Sequence, residues 1–473
     1  MTPHAYARRQ ARAEGKHGAT DAGGVSLALE LLAAQANNDL VTASQLRRDY
    51  NQWHTSQGGC ARYVGSNGME GVRVRRLFFS GALLLMCATA GANSKAADGT
   101  TTVIVLGVDH AAQLVAKNDR PARLAAFLAH AKPDAICIER SPEAFARNDY
   151  YEFTYEVQDV VVPFARRNGI DLCPIDWEPP VEDAKLGFDL DLGAPPELRP
   201  ASGFQQFLSF PSPSQLTRDL FHADEAKNVE RIAQWAATPA KRAADDLPRR
   251  LYLYRTYLQA QRVAAAAKAR PGGTVVVVVG EFHKRDIEAI LADSKNLRIV
   301  QPSSLGEPGD AQVHREERRE YHAAVASFNL LGVQSGTGNM DRAFVRESVQ
   351  ALKAERSSPE VALLQTRLDM LEGRATPAMA VDRYRSIATE AGEAHFTWTG
   401  VADASRLDSY FDPFGNLNVR QRALLETARE LYRAERGEEA AGIRQTLVSE
   451  LSDRKAAQLA GYWERYVVKP ASP

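Results

Sequence analysis

Residues 275–283 read Val-Val-Val-Val-Val-Gly-Glu-Phe-His (VVVVVGEFH), and this stretch decides the fold. Five consecutive β-branched residues predict a strand that is buried on both faces, as the strands of parallel sheets are. Thr102–Leu106 (TVIVL) is a second run of this kind, and it leads into Gly107 and His110. Two buried strands that each run into a glycine and a histidine therefore organise the rest of the chain.

Short apolar strands alternate with amphipathic helices around these two runs. The other predicted strands are at 135–138, 170–175 and 297–300, and the predicted helices are at 121–131, about 152–167 and 284–291. This alternation predicts an α/β fold, a mostly parallel sheet flanked by helices. The hundred or so residues before the valine strand are too long for a connection, so we expect a helical insertion at about 180–250.

The composition is that of an ordinary globular protein. The 473 residues are 44% hydrophobic and 25% charged, with a formal net charge of −1. These values exclude a wholly disordered or polytopic membrane chain, and they give no reason to expect nucleic acid as a partner. The predicted divisions are an extension that is disordered or wrongly included (1–68), a signal peptide with linker (69–98), the α/β domain (99–305) and an all-α C-terminal domain (306–473).

The C-terminal domain contains two similar stretches. Leu368–Gly373 and Glu430–Tyr432 each precede a turn and a helix with small residues on one face. This pattern is typical of tetratricopeptide-like hairpins, and a plain helical bundle is the alternative.

Residues 72–92 (VRVRRLFFSGALLLMCATAGA) have the pattern of a secretory signal peptide. Three arginines precede the apolar run Leu77–Cys87, and Ala90-Gly91-Ala92 supplies the small residues of a cleavage site. The apolar run is shorter than the roughly 20 residues of a membrane-spanning helix. We therefore expect an exported protein, periplasmic or secreted, that contacts a membrane only through this signal or signal-anchor segment. A buried core helix is the alternative.

The four cysteines form no Cys-x-x-Cys pair, which excludes a zinc ribbon. Cleavage of the signal would leave Cys137 and Cys173, three residues before Arg140 and Asp176 on two predicted strands. We expect two free thiols rather than a disulfide, because the spacing across paired strands suits a disulfide poorly.

Polar residues follow the predicted strands where their carboxyl ends should meet at one edge of the sheet. The residues delivered to that edge are Asp109 and His110, Glu139 and Arg140, Asp176, and Glu281 and His283. Imidazole and carboxylate groups are ligands of divalent metals and also serve as acid–base pairs. A hydrogen-bonded structural role is the alternative for either histidine alone.

Two Gly-x-x-His motifs, Gly107–His110 and Gly280–His283, together with Glu139-Arg140, resemble the TraB/GumN/Tiki family. This family belongs to a superfamily that includes ChaN-type haem-uptake proteins and erythromycin esterases. The resemblance covers about residues 100–305. In the Tiki branch, paired Gly-x-x-His motifs and a glutamate form the site of a metal-dependent protease.

The resemblance implies a hydrolase that acts on a peptide or protein substrate. By this resemblance His110, His283 and Glu139 would bind a divalent metal ion (manganese, cobalt or zinc). The family also has an arginine on the helix before the last motif strand; Arg255 is the candidate, and Arg262 is the alternative.

Further roles follow for the neighbouring polar residues. Asp176 matches a strand-end aspartate of TraB-like members, although tryptophan follows it here where arginine is usual. Asp109, Glu281 or Asp176 would support the ligands or act as general base, and Arg140 or Arg255 would stabilise the oxyanion.

The roles of Glu152 and Glu156 and two alternative functions remain open from the sequence. Glu152 and Glu156 could face the site, although acidic residues in a first helical turn usually interact with the helix dipole. The same strand edge could bind haem or a metal without catalysis, as in the ChaN branch. The chain could also be an inactive scaffold whose helical C-terminal domain binds a protein partner.

Overall fold

The computed structural model describes residues 99–188, 198–199 and 205–469. It contains a five-stranded sheet of order β3-β2-β4-β1-β5 in which all paired strands are parallel. The strands are β1 (Thr101–Val108), β2 (Ala135–Ile138), β3 (Asp171–Pro174), β4 (Thr274–Gly280) and β5 (Leu297–Ile299). The predicted α/β fold, a mostly parallel sheet flanked by helices and followed by a helical C-terminal region, is confirmed.

The valine strand β4 lies at the centre of the sheet. It pairs with β1 through Val103 and Val275 and with β2 through Ile138 and Val278. All five valines are buried, because both faces of a central parallel strand are covered. The carboxyl ends of β1, β4 and β2 are therefore immediate neighbours at one edge of the sheet.

The helices interleaved with the strands are α1 (Pro121–Ala131), α2 (Pro142–Ala146), α3 (Val162–Asn168), α4 (Val181–Phe188), α5 (Ala226–Ala237), α6 (Leu247–Lys268) and α7 (Glu281–Leu291). The insertion predicted at about 180–250 contains α4, α5, the start of α6 and two 3-10 turns, Pro213–Thr217 and His222–Asp224.

The helix predicted from about residue 152 begins later than expected. A π-helical turn, Glu156–Val161, leads into α3, whose C-terminal cap is Gly169 with a φ of +64°. Glu152 stays outside the helix because its carboxylate accepts hydrogen bonds from the backbone N–H groups of Ala402 and Tyr410. The loop that contains Ala402 and Tyr410 thus binds Glu152, which was predicted to lie in the first helical turn.

The C-terminal region is helical, with the helices α8 (Asp310–Glu316), α9 (Arg319–Leu330), α10 (Arg342–Glu355), α11 (Pro359–Leu371), α12 (Pro377–Glu390), α13 (Val419–Arg433), α14 (Gly437–Glu450) and α15 (Asp453–Trp463). Helices α11 and α12 form a hairpin whose turn contains Gly373 at a φ of +72°. Ala380 and Tyr384 of α12 are buried in it. Tetratricopeptide-like repetition itself stays a prediction.

Alternate residues of the strands face two different cores. Ile104 and Leu106 belong to a core that also contains Ala323 and Phe328 of α9. Val103 and Val105 belong to a second core, formed with α6 and α7. One face of the sheet therefore shares its core with a helix of the C-terminal region.

Residues 1–68 and the signal peptide predicted at 72–92 lie outside the described residues. Along residues 99–188, 198–199 and 205–469, no helix is both long enough and apolar enough to cross a membrane.

Candidate functional site

Three neighbouring strand ends bring His110, Glu139 and His283 together. His110 follows β1, Glu139 follows β2, and His283 lies in the first turn of α7 after β4. The Nε2 atom of His110 is 3.5 Å from Oε2 of Glu139, and the Nε2 atom of His283 is 3.7 Å from Oε1 of the same carboxylate. One buried carboxylate is thus flanked by two imidazole rings, each of which presents Nε2 to it.

Gly280 allows this close approach. Its backbone N–H donates a 2.6 Å hydrogen bond to Oε2 of Glu139. A Cβ atom at this position would lie 2.8 Å from Nε2 of His110 and 3.3 Å from Oε2 of Glu139. The glycine of the second Gly-x-x-His motif is therefore needed for space at the site itself.

Glu156 orients the ring of His110. Its Oε1 atom lies 2.8 Å from Nδ1 of His110, and its Oε2 atom accepts a 3.0 Å hydrogen bond from the backbone N–H of Ala111. Burial lowers the pKa of His110, but the carboxylates of Glu156 and Glu139 outweigh this effect and raise the pKa to about 9. Of the two glutamates that the sequence left open, Glu156 belongs to the site and Glu152 does not contact it.

Thr256 orients the second imidazole, that of His283. Its hydroxyl donates to the backbone carbonyl of Tyr252 and lies 2.6 Å from Nδ1 of His283. Because the hydroxyl hydrogen is already used, Nδ1 carries the proton of the ring and Nε2 keeps its lone pair. The Tyr252 ring stacks on the imidazole at a centroid distance of 5.0 Å. Burial lowers the pKa of His283 to about 4, so this ring is neutral at neutral pH.

Arg255 connects Glu139 to Asp176. Its Nε and Nη2 atoms each lie 2.6 Å from an oxygen of Asp176, and Nη2 also donates to Oε1 of Glu139 at 2.8 Å. Burial would raise the pKa of both carboxyl groups, but the guanidinium holds them below their ordinary values. Arg262, the alternative arginine, instead donates to the backbone carbonyls of Ile175 and Asp176. Arg255 is therefore the arginine of the site.

Arg140 lies next to the site in sequence but is directed elsewhere. Its guanidinium lies over the rings of Phe145 and Tyr150, at 5.9 and 5.4 Å from their centroids. Its side chain is 1% exposed overall, and its two Nη atoms have no hydrogen-bond partner among the described residues.

Asp109 and Glu281 lie in a second polar cluster formed with the insertion. Asp109 pairs with Arg218, and burial raises the pKa of its carboxyl group more than the arginine lowers it. Glu281 accepts hydrogen bonds of 3.1 Å from Asn228 and from Arg231. Reasoning from strand ends missed these insertion residues, because they follow no strand and carry no motif.

The donor atoms of the site resemble those of divalent metal sites. No group of three or more His, Cys, Asp or Glu side chains in the described part of the chain is already arranged to hold a metal. The donor types nevertheless suit such an ion. Donors that share a tetrahedral ion lie about 3.3 Å apart, close to the 3.5 and 3.7 Å found between each Nε2 atom and Glu139.

The orientation of the two imidazole rings agrees with this fit. The Nδ1 atom of each imidazole is engaged by Glu156 or Thr256, as the rings of metal-binding histidines commonly are. The lone pair on Nε2 of His283 faces a carboxylate oxygen to which it cannot hydrogen-bond, so a cation or a donor between them would be favourable. The residues therefore fit a divalent ion by donor type and orientation, without forming a preorganised cage, and binding would displace the proton that a pKa of about 9 leaves on His110 at neutral pH.

Comparison with known proteins identifies no relative. No family model, no curated protein and no solved structure matches this chain.

Proposed function

We propose that this protein is a metal-dependent hydrolase of the TraB/Tiki type that cleaves peptide bonds. One observation carries the proposal: the Nε2 atoms of His110 and His283 face the two oxygens of a single buried carboxylate, that of Glu139. Export through residues 72–92 is part of the same proposal, and it would place the activity in the periplasm or outside the cell.

The roles of the side chains follow from their contacts. His110, His283 and Glu139 would hold a divalent ion, which supplies Lewis acidity and brings the pKa of water toward neutrality. Glu156 and Thr256 hold the two rings in the orientation that leaves Nε2 available. Asp176 positions Arg255, whose guanidinium would stabilise the negative charge that develops on the scissile carbonyl oxygen.

The general base is proposed to come from the second polar cluster, which contains Asp109 and Glu281. Asp109 and Glu281 follow the same two strands as the histidines, and Arg218 lies within 4.0 Å of both. Asp109, whose carboxyl pKa is raised by burial, suits the role of general base better than Asp176, which is engaged by Arg255 and Gln259. Glu281 is engaged by Asn228 and Arg231 and would position Arg218.

An exposed aromatic surface next to the site supports a peptide substrate. Trp235 of α5 is 40% exposed and Phe282 is 39% exposed, and both belong to a group of rings that includes Tyr252. Tyr252 in turn stacks on His283. Apolar side chains of a peptide could pack on these rings while the scissile bond lies near His283.

The experiment is to measure metal content and peptide hydrolysis for the full chain and for the His110→Ala/His283→Ala variant. A His130→Ala variant is the matched control, because this exposed histidine lies on α1 away from the site. We expect a near-stoichiometric metal and peptide cleavage that are lost only in the double variant. If the chain stays metal-free after incubation with manganese, cobalt, zinc and iron, the proposal fails. Haem absorbance without hydrolysis would instead favour the binding function.

A further inference from the structure

A cavity lies in the C-terminal region and includes none of the residues of the strand-end site. It has a volume of 720 Å³ and is bordered by the ends of several C-terminal helices and by Gln206, Phe207 and Ser209. The described residues that line it include six cationic side chains and no carboxylate. The cationic residues are Arg342, Arg367, Arg429, Arg433, Arg465 and Lys469.

Acidic residues behind the cavity wall balance only part of this charge. Arg429 donates to Glu426 at 2.7 Å, Arg433 donates to Glu430 at 2.6 Å, and Lys469 pairs with Glu464 at 2.8 Å. Arg367 shares Glu426 and Glu430, at 3.6 and 3.9 Å. Among the described residues, Arg342 and Arg465 have no carboxylate within 4.0 Å. The cavity therefore keeps an excess of positive charge, which attracts an anion.

Two of the arginines are held rigidly at the cavity wall. Arg367 and Arg429 are 6% and 7% exposed. Their Nε atoms donate to the backbone carbonyls of Leu330 and Tyr466, at 3.1 and 2.9 Å. Guanidinium groups with fixed orientation bind carboxylate and phosphate groups through pairs of hydrogen bonds, and little entropy is lost on binding.

The rest of the lining is apolar, with Phe207, Met340, Met370 and Leu371 among its residues. An inorganic anion alone would leave these side chains facing water. A volume of 720 Å³ is also within the range of pockets that enclose small organic ligands. The occupant must therefore combine an anionic group with an apolar body.

We propose that this cavity binds an amphipathic anion, a small molecule with a carboxylate or phosphate group on an apolar chain. The anionic group lies among the arginines, and the apolar chain covers the methionine and leucine side chains. This site is separate from the strand-end site, so its occupancy does not depend on a metal or on hydrolysis.

The test is calorimetric titration of the full chain with decanoate and with decyl phosphate, each below its micelle concentration. Decylamine, decanol and inorganic phosphate are the reference probes. We expect saturable binding of one or both anionic chains at one site per protein, and at least about tenfold weaker binding of every reference probe. The comparison of decanoate with decyl phosphate shows which anionic group the site prefers.

Two double variants locate the binding. Arg342→Gln/Arg465→Gln removes two exposed cavity arginines that have no carboxylate partner, so the fold should be unaffected. Arg315→Gln/Arg356→Gln removes the same charge from exposed positions outside the cavity. We expect about tenfold weaker binding in the first variant only. Equal binding in both variants, equal affinity for inorganic phosphate, or no saturable binding would each overturn the proposal.

Discussion

The Nδ1 atom of His110 lies 2.8 Å from Oε1 of Glu156, a buried residue 46 positions further along the chain. The second oxygen of Glu156 accepts from the N–H of Ala111, which adopts a positive φ of 61°. The carboxylate of Glu156 thus holds both the ring of His110 and the backbone of Ala111. This contact sets the charge of His110 and the direction of Nε2, so it is the most informative place to test the site.

The first prediction concerns the titration of the two histidines in the metal-free protein. We expect the ring of His110 to titrate near pH 9 and that of His283 near pH 4, as the carboxylates around the first and the burial of the second require. Glu156→Gln should lower the pKa of His110 toward its ordinary value of 6.5. NMR of the ring protons measures both. A His110 that titrates near 6.5 in both proteins would contradict the structure.

The same shift has a consequence for stability. Because the folded-state pKa of His110 is raised, its contribution to stability is complete below the unfolded value of 6.5 and is lost as the pH rises through about 9. The contribution is on the order of 3 kcal/mol at most. Urea unfolding at pH 6 and pH 9.5 should show a smaller difference for Glu156→Gln than for the parent protein.

The second prediction concerns Gly280→Ala. The added methyl group would lie 2.8 Å from Nε2 of His110, so the ring must move away from Glu139. We expect a loss of about 1–3 kcal/mol in unfolding free energy, as in other overpacked sites, together with loss of metal affinity. Gly442→Ala is the control, because nothing lies within 4 Å of its Cβ position and it is inside helix α14. This control should be stabilised slightly. Equal stability of the two variants would rule out the crowding.

The convergence of His110, Glu139 and His283 could be predicted because it depends on local patterns. Continuous apolar runs mark buried strands, and the residue after each strand must lie at the carboxyl edge of a parallel sheet. The strand order places β4 between β1 and β2, which brings the three side chains into contact. The order of neighbouring strands and the short connections that follow them were therefore sufficient to predict this part of the site.

Other parts of the site depend on contacts that no local pattern encodes. Glu156 contacts His110 through a π-helical turn, whereas a regular helix was expected from about residue 152. The hydroxyl of Thr256 contacts His283 because α6 packs against α7, and the side chain of Arg140 is directed toward aromatic rings. These outcomes depend on tertiary packing, which periodicity and strand-end position do not determine.

The third prediction concerns the two thiols of the sheet. Cys137 and Cys173 are register partners on β2 and β3 and are both free, as the sequence predicted. A hydrogen bond with Cys137 lowers the pKa of Cys173, whereas burial raises the pKa of Cys137. In a Cys60→Ser/Cys87→Ser background, we expect a charged thiol reagent to modify Cys173 at least about tenfold faster than it modifies Cys137. Mass spectrometry of peptides measures this. A mass lower by two hydrogen atoms, which indicates a disulfide, would refute this prediction.

The fourth prediction compares the two arginines that the sequence proposed for the oxyanion. Arg255→Met leaves the buried carboxylates of Glu139 and Asp176 without their cation, so we expect a loss of about 3–5 kcal/mol in unfolding free energy. Arg140→Met removes a buried guanidinium whose Nη atoms have no partner among the described residues. Its contacts with Phe145 and Tyr150 are worth about 1 kcal/mol each, and relief from burying an unpaired cation offsets them.

Arg140→Met should therefore leave the unfolding free energy unchanged or raise it. Denaturant unfolding of both variants at pH 7 provides the measurement. The double variant Arg255→Met/Asp176→Asn is measured in the same way. This double variant should recover part of the stability lost in Arg255→Met, because one of the two unpaired buried charges is removed. If Arg140→Met is the more destabilised of the single variants, the assignment of Arg255 as the arginine of the site is wrong.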